Sequence, residues 1–137
     1  MRVILSISGT QRFGEDAPET TELVTEGELE RRDGALILSY EESELTGLEG
    51  TKTTVKLDGK TVTLIRTGTF PSHMLFSEDE RHIGLYQTPI GQDMTIATHT
   101  SHVSNTVGEN GGRLVIDYTV EVDNSLMGEH HFEMVVS

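Results

Sequence analysis

Run after run of this chain alternates apolar and polar residues with a period of two, and the connections between runs are short. The segment from Arg113 to Asp123 is the clearest case. Leu114, Ile116, Tyr118, Val120 and Val122 fall on one side, and Val115, Asp117, Thr119 and Glu121 on the other. Successive side chains of a strand point to opposite faces, so this pattern marks a strand with one buried face. Arg2 to Thr10 repeats it with Val3, Leu5 and Ile7, and His130 to Val136 with Phe132, Met134 and Val136. Thr20 to Arg32 is rich in glutamate, a good helix former. Its apolar residues do not recur at three and four, however, and its threonines and Gly27 favour a strand.

Turn chemistry separates the runs. Asp33-Gly34 and Asp58-Gly59 are two-residue hairpin signals, and Pro89-Ile90-Gly91 precedes a further strand that alternates Met94, Ile96, Thr98 and Thr100 against Thr95, Ala97, His99 and Ser101. Charged or glycine-rich turns are expected at residues 77–81, 107–112 and 123–128. Nine or ten strands result, with no amphipathic helix. Parallel strands need crossovers of about a dozen residues or more, and these gaps are shorter, so the sheet is expected to be antiparallel. An all-β, mostly up-and-down barrel is favoured over a sandwich because closure removes exposed edges. The 137 residues suit one domain spanning residues 1–137.

Charge narrows the partners. Acidic residues number 23 against 10 basic, a formal net charge of −13. Twelve of the acids lie between Glu15 and Glu49, where Arg31 and Arg32 are the basic residues. Such a surface repels phosphate backbones and anionic lipids, so neither nucleic acid nor membrane is an expected partner. The charge keeps the protein soluble or, alternatively, forms an interaction surface for a basic protein partner. There is no cysteine, which removes thiolate zinc sites and cysteine nucleophiles. The opening MRVILSISGTQ is too short and polar for a signal peptide, and no apolar run approaches the ~20 residues of a membrane span. A cytoplasmic location is therefore expected. A homodimer formed through an edge or barrel face is compatible with this architecture, and no residue decides it.

Three runs are distinctive: Ser39-Tyr40-Glu41-Glu42; Tyr86-Gln87-Thr88-Pro89-Ile90-Gly91 followed by Met94-Thr95-Ile96-Ala97-Thr98; and Gly112-x-Leu114-x-Ile116-x-Tyr118. In this order they resemble DUF1934, the YwiB-like family of small bacterial proteins of uncharacterised function, over nearly the whole chain. The resemblance implies a calycin-like barrel, the architecture of lipocalins and fatty-acid-binding proteins. It brings no activity.

Barrels of eight to ten strands commonly enclose space for one small molecule. If the apolar faces point inward, they carry Tyr40, Glu42, Arg66, Thr98, Thr100 and Tyr118 with them, and these are the candidate ligand-binding residues. Arg66 suits an anionic group, because a guanidinium binds a carboxylate through two hydrogen bonds. Alternatively, Arg66 and Glu42 form an ion pair inside a filled barrel.

The histidines, serines and paired acids show no recognised catalytic or metal-binding spacing. His99 and His102, three apart on a strand, are expected on opposite faces, as are the adjacent His130 and His131. A barrel could still bring His99 beside His130 or His131, so no metal ligand is assigned. Neither a GxSxG elbow nor a phosphate loop is present, and Glu41 and Glu42 diverge. No catalytic residue, metal or cofactor is assigned. Three readings stay open: a barrel binding a small, partly apolar molecule; a filled barrel meeting a protein partner through its acidic face; and an enzyme using Glu42, Arg66 or a histidine as acid or base.

Overall fold

The period-two runs become ten strands in the computed structural model, which describes residues 1–12, 14–43, 48–69, 71–87, 93–122 and 125–137. They are β1 (Arg2–Arg12), β2 (Glu19–Arg32), β3 (Ala35–Glu41), β4 (Thr51–Asp58), β5 (Thr61–Gly68), β6 (Ser72–Ser77), β7 (Arg81–Gln87), β8 (Asp93–Asn105), β9 (Gly112–Val122) and β10 (Ser125–Val136). Each strand pairs antiparallel with its sequence neighbour, and β1 pairs with both β2 and β10, so the sheet closes into an up-and-down barrel. The glutamate-rich segment is a strand. Leu23, Gly27 and Leu29 are buried on its inner face, and Val24 lies outside among the glutamates.

Turn chemistry works as expected at Asp33-Gly34, where both residues take positive φ (52° and 84°) between the paired Arg32 and Ala35. The second hairpin differs by one residue. Asp58 pairs with Thr61, so its loop is Gly59-Lys60, with the positive φ of 63° at Gly59. The Pro89-Ile90-Gly91 turn and the side chain of Met94 lie outside the described residues.

Alternation down and up the barrel sorts the connections into two ends. The β2–β3, β4–β5, β6–β7 and β8–β9 turns and both chain termini share one end, and the remaining connections share the other. Near the first end the interior is packed in rows set by register. Leu36, Leu57, Val62 and Phe76 stand side by side on β3 to β6, and Leu38, Val55, Leu64 and Met74 form the next row. Leu114, Met134, Ile7 and Leu23 continue a row around β9, β10, β1 and β2. At ~25 cal/mol per Å² of apolar surface removed from water, a buried leucine contributes about 2 kcal/mol, so these rows are the main stabilising feature of the fold.

One strand departs from simple alternation. In β8 the pairing with β9 shifts between Thr100 and His102, leaving Ser101 as a bulge. The extra residue reverses the parity, so Val103 is buried like Thr98 and Thr100, while His99 and His102 are both exposed. The expectation that these histidines face opposite ways is therefore corrected: both are on the outer wall. The turn after β6 folds against this stretch. Asp79 donates its backbone N–H to the Thr100 carbonyl at 2.8 Å, and Val103 donates its own to the Glu78 carboxylate at 3.1 Å.

Candidate binding site

Above the packed rows, toward the other end, the described residues enclose a hollow. A cavity of about 430 Å³ opens between the strands, lined by apolar residues including Ile7, Met74, Ile96 and Val120 and by a smaller polar set. The polar set is arranged by register. Tyr40 on β3 lies directly opposite Thr53 on β4, Thr53 opposite Arg66 on β5, and Arg66 opposite Ser72 on β6. Four polar side chains thus form a belt one row above the aliphatic layers.

Glu42, just beyond the end of β3, closes this belt. Its side chain is 2% exposed, and it accepts a hydrogen bond from Thr53 Oγ1 at 2.7 Å. Arg66 Nε lies 4.0 Å from the Glu42 carboxylate, close enough for a Coulombic pair and too far for a hydrogen bond. Burial, and then the neighbouring Glu42 carboxylate, push the Tyr40 hydroxyl well above the usual phenol range; the Arg66 charge opposes this. Tyr40 is therefore a neutral donor to Glu42 at any physiological pH.

The opposite wall is aromatic. Tyr118 on β9 lies opposite His130 on β10, and their rings stack with centroids 4.9 Å apart and planes 5° apart. Tyr118 also packs on Phe76 at 4.7 Å. Burial raises the Tyr118 pKa, with Arg66 opposing, and lowers that of His130 toward the neutral imidazole. Burial thus favours the uncharged forms of Tyr118 and His130 on this wall, across from the Arg66–Glu42 pair.

Four of the six residues singled out from the sequence, Tyr40, Glu42, Arg66 and Tyr118, line this cavity together. The other two do not join them. Thr98 is buried at a small crevice of about 90 Å³ between β6 and β7, beside Met74 and Ile96. Thr100 is fully buried beneath, next to the bulge. Sequence reasoning missed Gly9, Thr53, Ser72 and His130. A signal for each was present: Gly9 continues the parity of Val3, Leu5 and Ile7, Thr53 that of Val55 and Leu57, Ser72 that of Met74 and Phe76, and His130 that of Phe132 and Met134.

Two buried donors in the cavity wall are unsatisfied. Ser72 is 7% exposed, and neither its Oγ nor Arg66 Nε has a hydrogen-bond partner among the described residues. A buried polar group left without a partner costs about 1–3 kcal/mol, so two on adjacent, directly opposed residues need an explanation.

The outer wall also brings a serine, an aspartate and a histidine together. Ser101, Asp117 and His131 share a groove there, but the Ser101 hydroxyl donates to the Asp117 backbone carbonyl at 3.1 Å. His131 Nδ1 engages the Asp117 carboxylate, and its Nε2 is directed at Glu133, 3.9 Å away. Both imidazole nitrogens thus face acids, and among the described residues the Ser101 hydroxyl is directed at a backbone carbonyl and not at the imidazole. His99 stands opposite Thr119, with Glu129 beyond it, so β8 and β10 do not bring it beside His130 or His131. Among the described residues no three histidine, aspartate or glutamate side chains are placed to hold a metal, and no helix is long and apolar enough to cross a membrane.

A solved structure matches this barrel closely in shape. The crystal structure of the ywiB protein from Bacillus subtilis superposes with a TM-score of 0.87 at 22% sequence identity, covering 99% of this chain and 90% of that one. At that identity the likeness carries the fold alone. The search of curated proteins finds no match. The family model described as a domain of unknown function, DUF1934, matches residues 5–134, and with a barrel of the same shape behind it this chain belongs to the DUF1934 family.

Proposed function

We propose that the barrel binds one small, partly apolar molecule carrying an anionic group, held in the cavity at its open end. The observation that carries this reading is the pair of unpartnered donors, Arg66 Nε and Ser72 Oγ, buried on two directly opposed residues that line the cavity. A carboxylate or similar anion supplies two acceptor oxygens, and a guanidinium beside a hydroxyl matches them. Glu42, anchored by Thr53, balances the arginine while the cavity holds water. Around this polar belt the apolar side chains would take the body of the ligand.

The volume supports the same conclusion. About 430 Å³ falls within the ~300–1,000 Å³ of typical ligand pockets. At roughly 30 Å³ per water molecule it exceeds the space for a few waters that a filled barrel would leave. A calycin-like kinship also fits, since barrels of this size hold one small ligand.

Native mass spectrometry of the protein purified without denaturation from its source cells tests the proposal. A reproducible small-molecule adduct is expected, and it should weaken in Arg66→Gln and Ser72→Ala. An adduct-free spectrum, together with no change in 1-anilinonaphthalene-8-sulfonate fluorescence on titration, would remove it.

A further inference from the structure

Gly9 sits in the middle of β1 on the inner face, in line with the buried Val3, Leu5 and Ile7. Its backbone φ is not positive, so its conformation does not require glycine. Packing does not require it either. A methyl group at Gly9 would meet no atom of the described residues within 4 Å, whereas one at Gly27 would meet Leu5 Cδ1 at 2.7 Å and one at Gly84 the His73 carbonyl at 2.4 Å. Those two glycines are filled by neighbouring atoms. Gly9 faces open cavity.

A glycine inside a strand weakens it, and an aromatic on the adjacent strand often covers the gap with its ring. Phe132 is the residue directly opposite Gly9, yet its ring stays more than 4 Å from the position a side chain would take. The usual compensation is absent. What remains is a bare strip of backbone in the cavity wall, with Phe132 on one flank and the stacked Tyr118–His130 pair beyond it. A strand glycine left uncovered in this way is a place where a ligand approaches the backbone closely.

We infer that the ligand is a planar ring system bearing one anionic group. The ring lies against the Gly9 backbone beside the aromatic wall, and the anion meets Arg66 and Ser72. This rests on the reading of the cavity as a binding site, and it narrows the ligand class from any amphipathic anion to a ring-bearing one. A flat strip and an aromatic wall favour a rigid ring face, which loses no chain entropy on binding. An alkyl chain would gain no more from glycine than from alanine or valine.

Isothermal titration calorimetry with 2-naphthoate and with undecanoate, a straight-chain carboxylate of equal heavy-atom count, tests the inference. The wild-type protein should bind 2-naphthoate about tenfold more tightly than undecanoate, a difference of about 1.4 kcal/mol. Gly9→Leu should weaken 2-naphthoate by about tenfold or more while circular dichroism and cooperative unfolding stay native. Gly9→Ala, which the open space admits without strain, should weaken it by a smaller factor. Undecanoate binding as tightly as 2-naphthoate, or unchanged 2-naphthoate binding in both Gly9 variants, overturns the ring assignment and leaves the cavity as a binding site. Neither anion binding at all overturns both.

Discussion

At the level of single residues, Glu42 and Arg66 are unequal members of their pair. The Glu42 side chain is almost wholly buried, while the partly exposed Arg66 can turn toward the cavity. Removing Arg66 leaves a buried carboxylate without a counter-charge, and removing Glu42 leaves a cation that can rehydrate. Arg66→Ala should therefore cost about 3 kcal/mol of stability and Glu42→Ala about 2 kcal/mol, measured by urea unfolding at neutral pH. The reverse order would show that burial of Glu42 is not what the pair offsets.

His130 makes a pH-dependent contribution. Burial holds its pKa below the ordinary value of about 6.5, so the unfolded chain takes up the proton more readily than the folded one. Its contribution is complete above about pH 6.5 and is lost as pH falls through that value toward the lower folded pKa. His130→Phe keeps a ring against Tyr118 and removes the titration. The melting temperatures of wild type and this variant should diverge between about pH 7.5 and 5, with wild type losing more. A constant difference across that range would exclude His130 as the cause.

Among the elements, β8 is the most instructive. Alternation alone makes it a uniform strand, but the bulge at Ser101 lets Thr100 and Val103 both point inward. A residue removed at the bulge leaves every other β8 side chain on its present face, and one removed elsewhere in the strand flips part of it. Deleting Ser101 should give a folded barrel weakened by about 2 kcal/mol or less, mainly through the lost hydrogen bond to the Asp117 carbonyl. Deleting His99 instead should exchange Thr100 and Ser101 between the two faces and cost more stability than deleting Ser101, as followed by circular dichroism during urea unfolding. If both deletions behave alike, the bulge does not set the register.

On the scale of the whole molecule, the two ends of the barrel have separate tasks. One is closed by tight turns and stacked aliphatic rows, and the other carries the polar belt and the cavity. Around both runs an outer wall whose surface ion pairs, such as Arg2 with Glu26 and Arg113 with Glu133, are each worth at most about 1 kcal/mol. With a formal net charge of −13, self-repulsion outweighs those pairs. Raising salt from about 10 mM to about 0.3 M shortens the screening length several-fold, so the melting temperature should rise by a few degrees. A fall would mean that the ion pairs dominate the surface.

The strands, their inward faces and the antiparallel order were legible in the sequence because they follow from local chemistry. Alternation assigns a face residue by residue, glycine and aspartate mark turns, and short connections forbid crossovers. The same parity placed Tyr40, Glu42, Arg66 and Tyr118 inside. The register between two strands is not set by alternation within either one, and the tertiary structure alone decided it. Register set Tyr40, Thr53, Arg66 and Ser72 in one belt, and the bulge at Ser101 sent His99 and His102 to the same outer wall. It also left the space above Gly9 open, because whether the paired Phe132 ring covers the glycine depends on the direction that ring takes in the folded barrel.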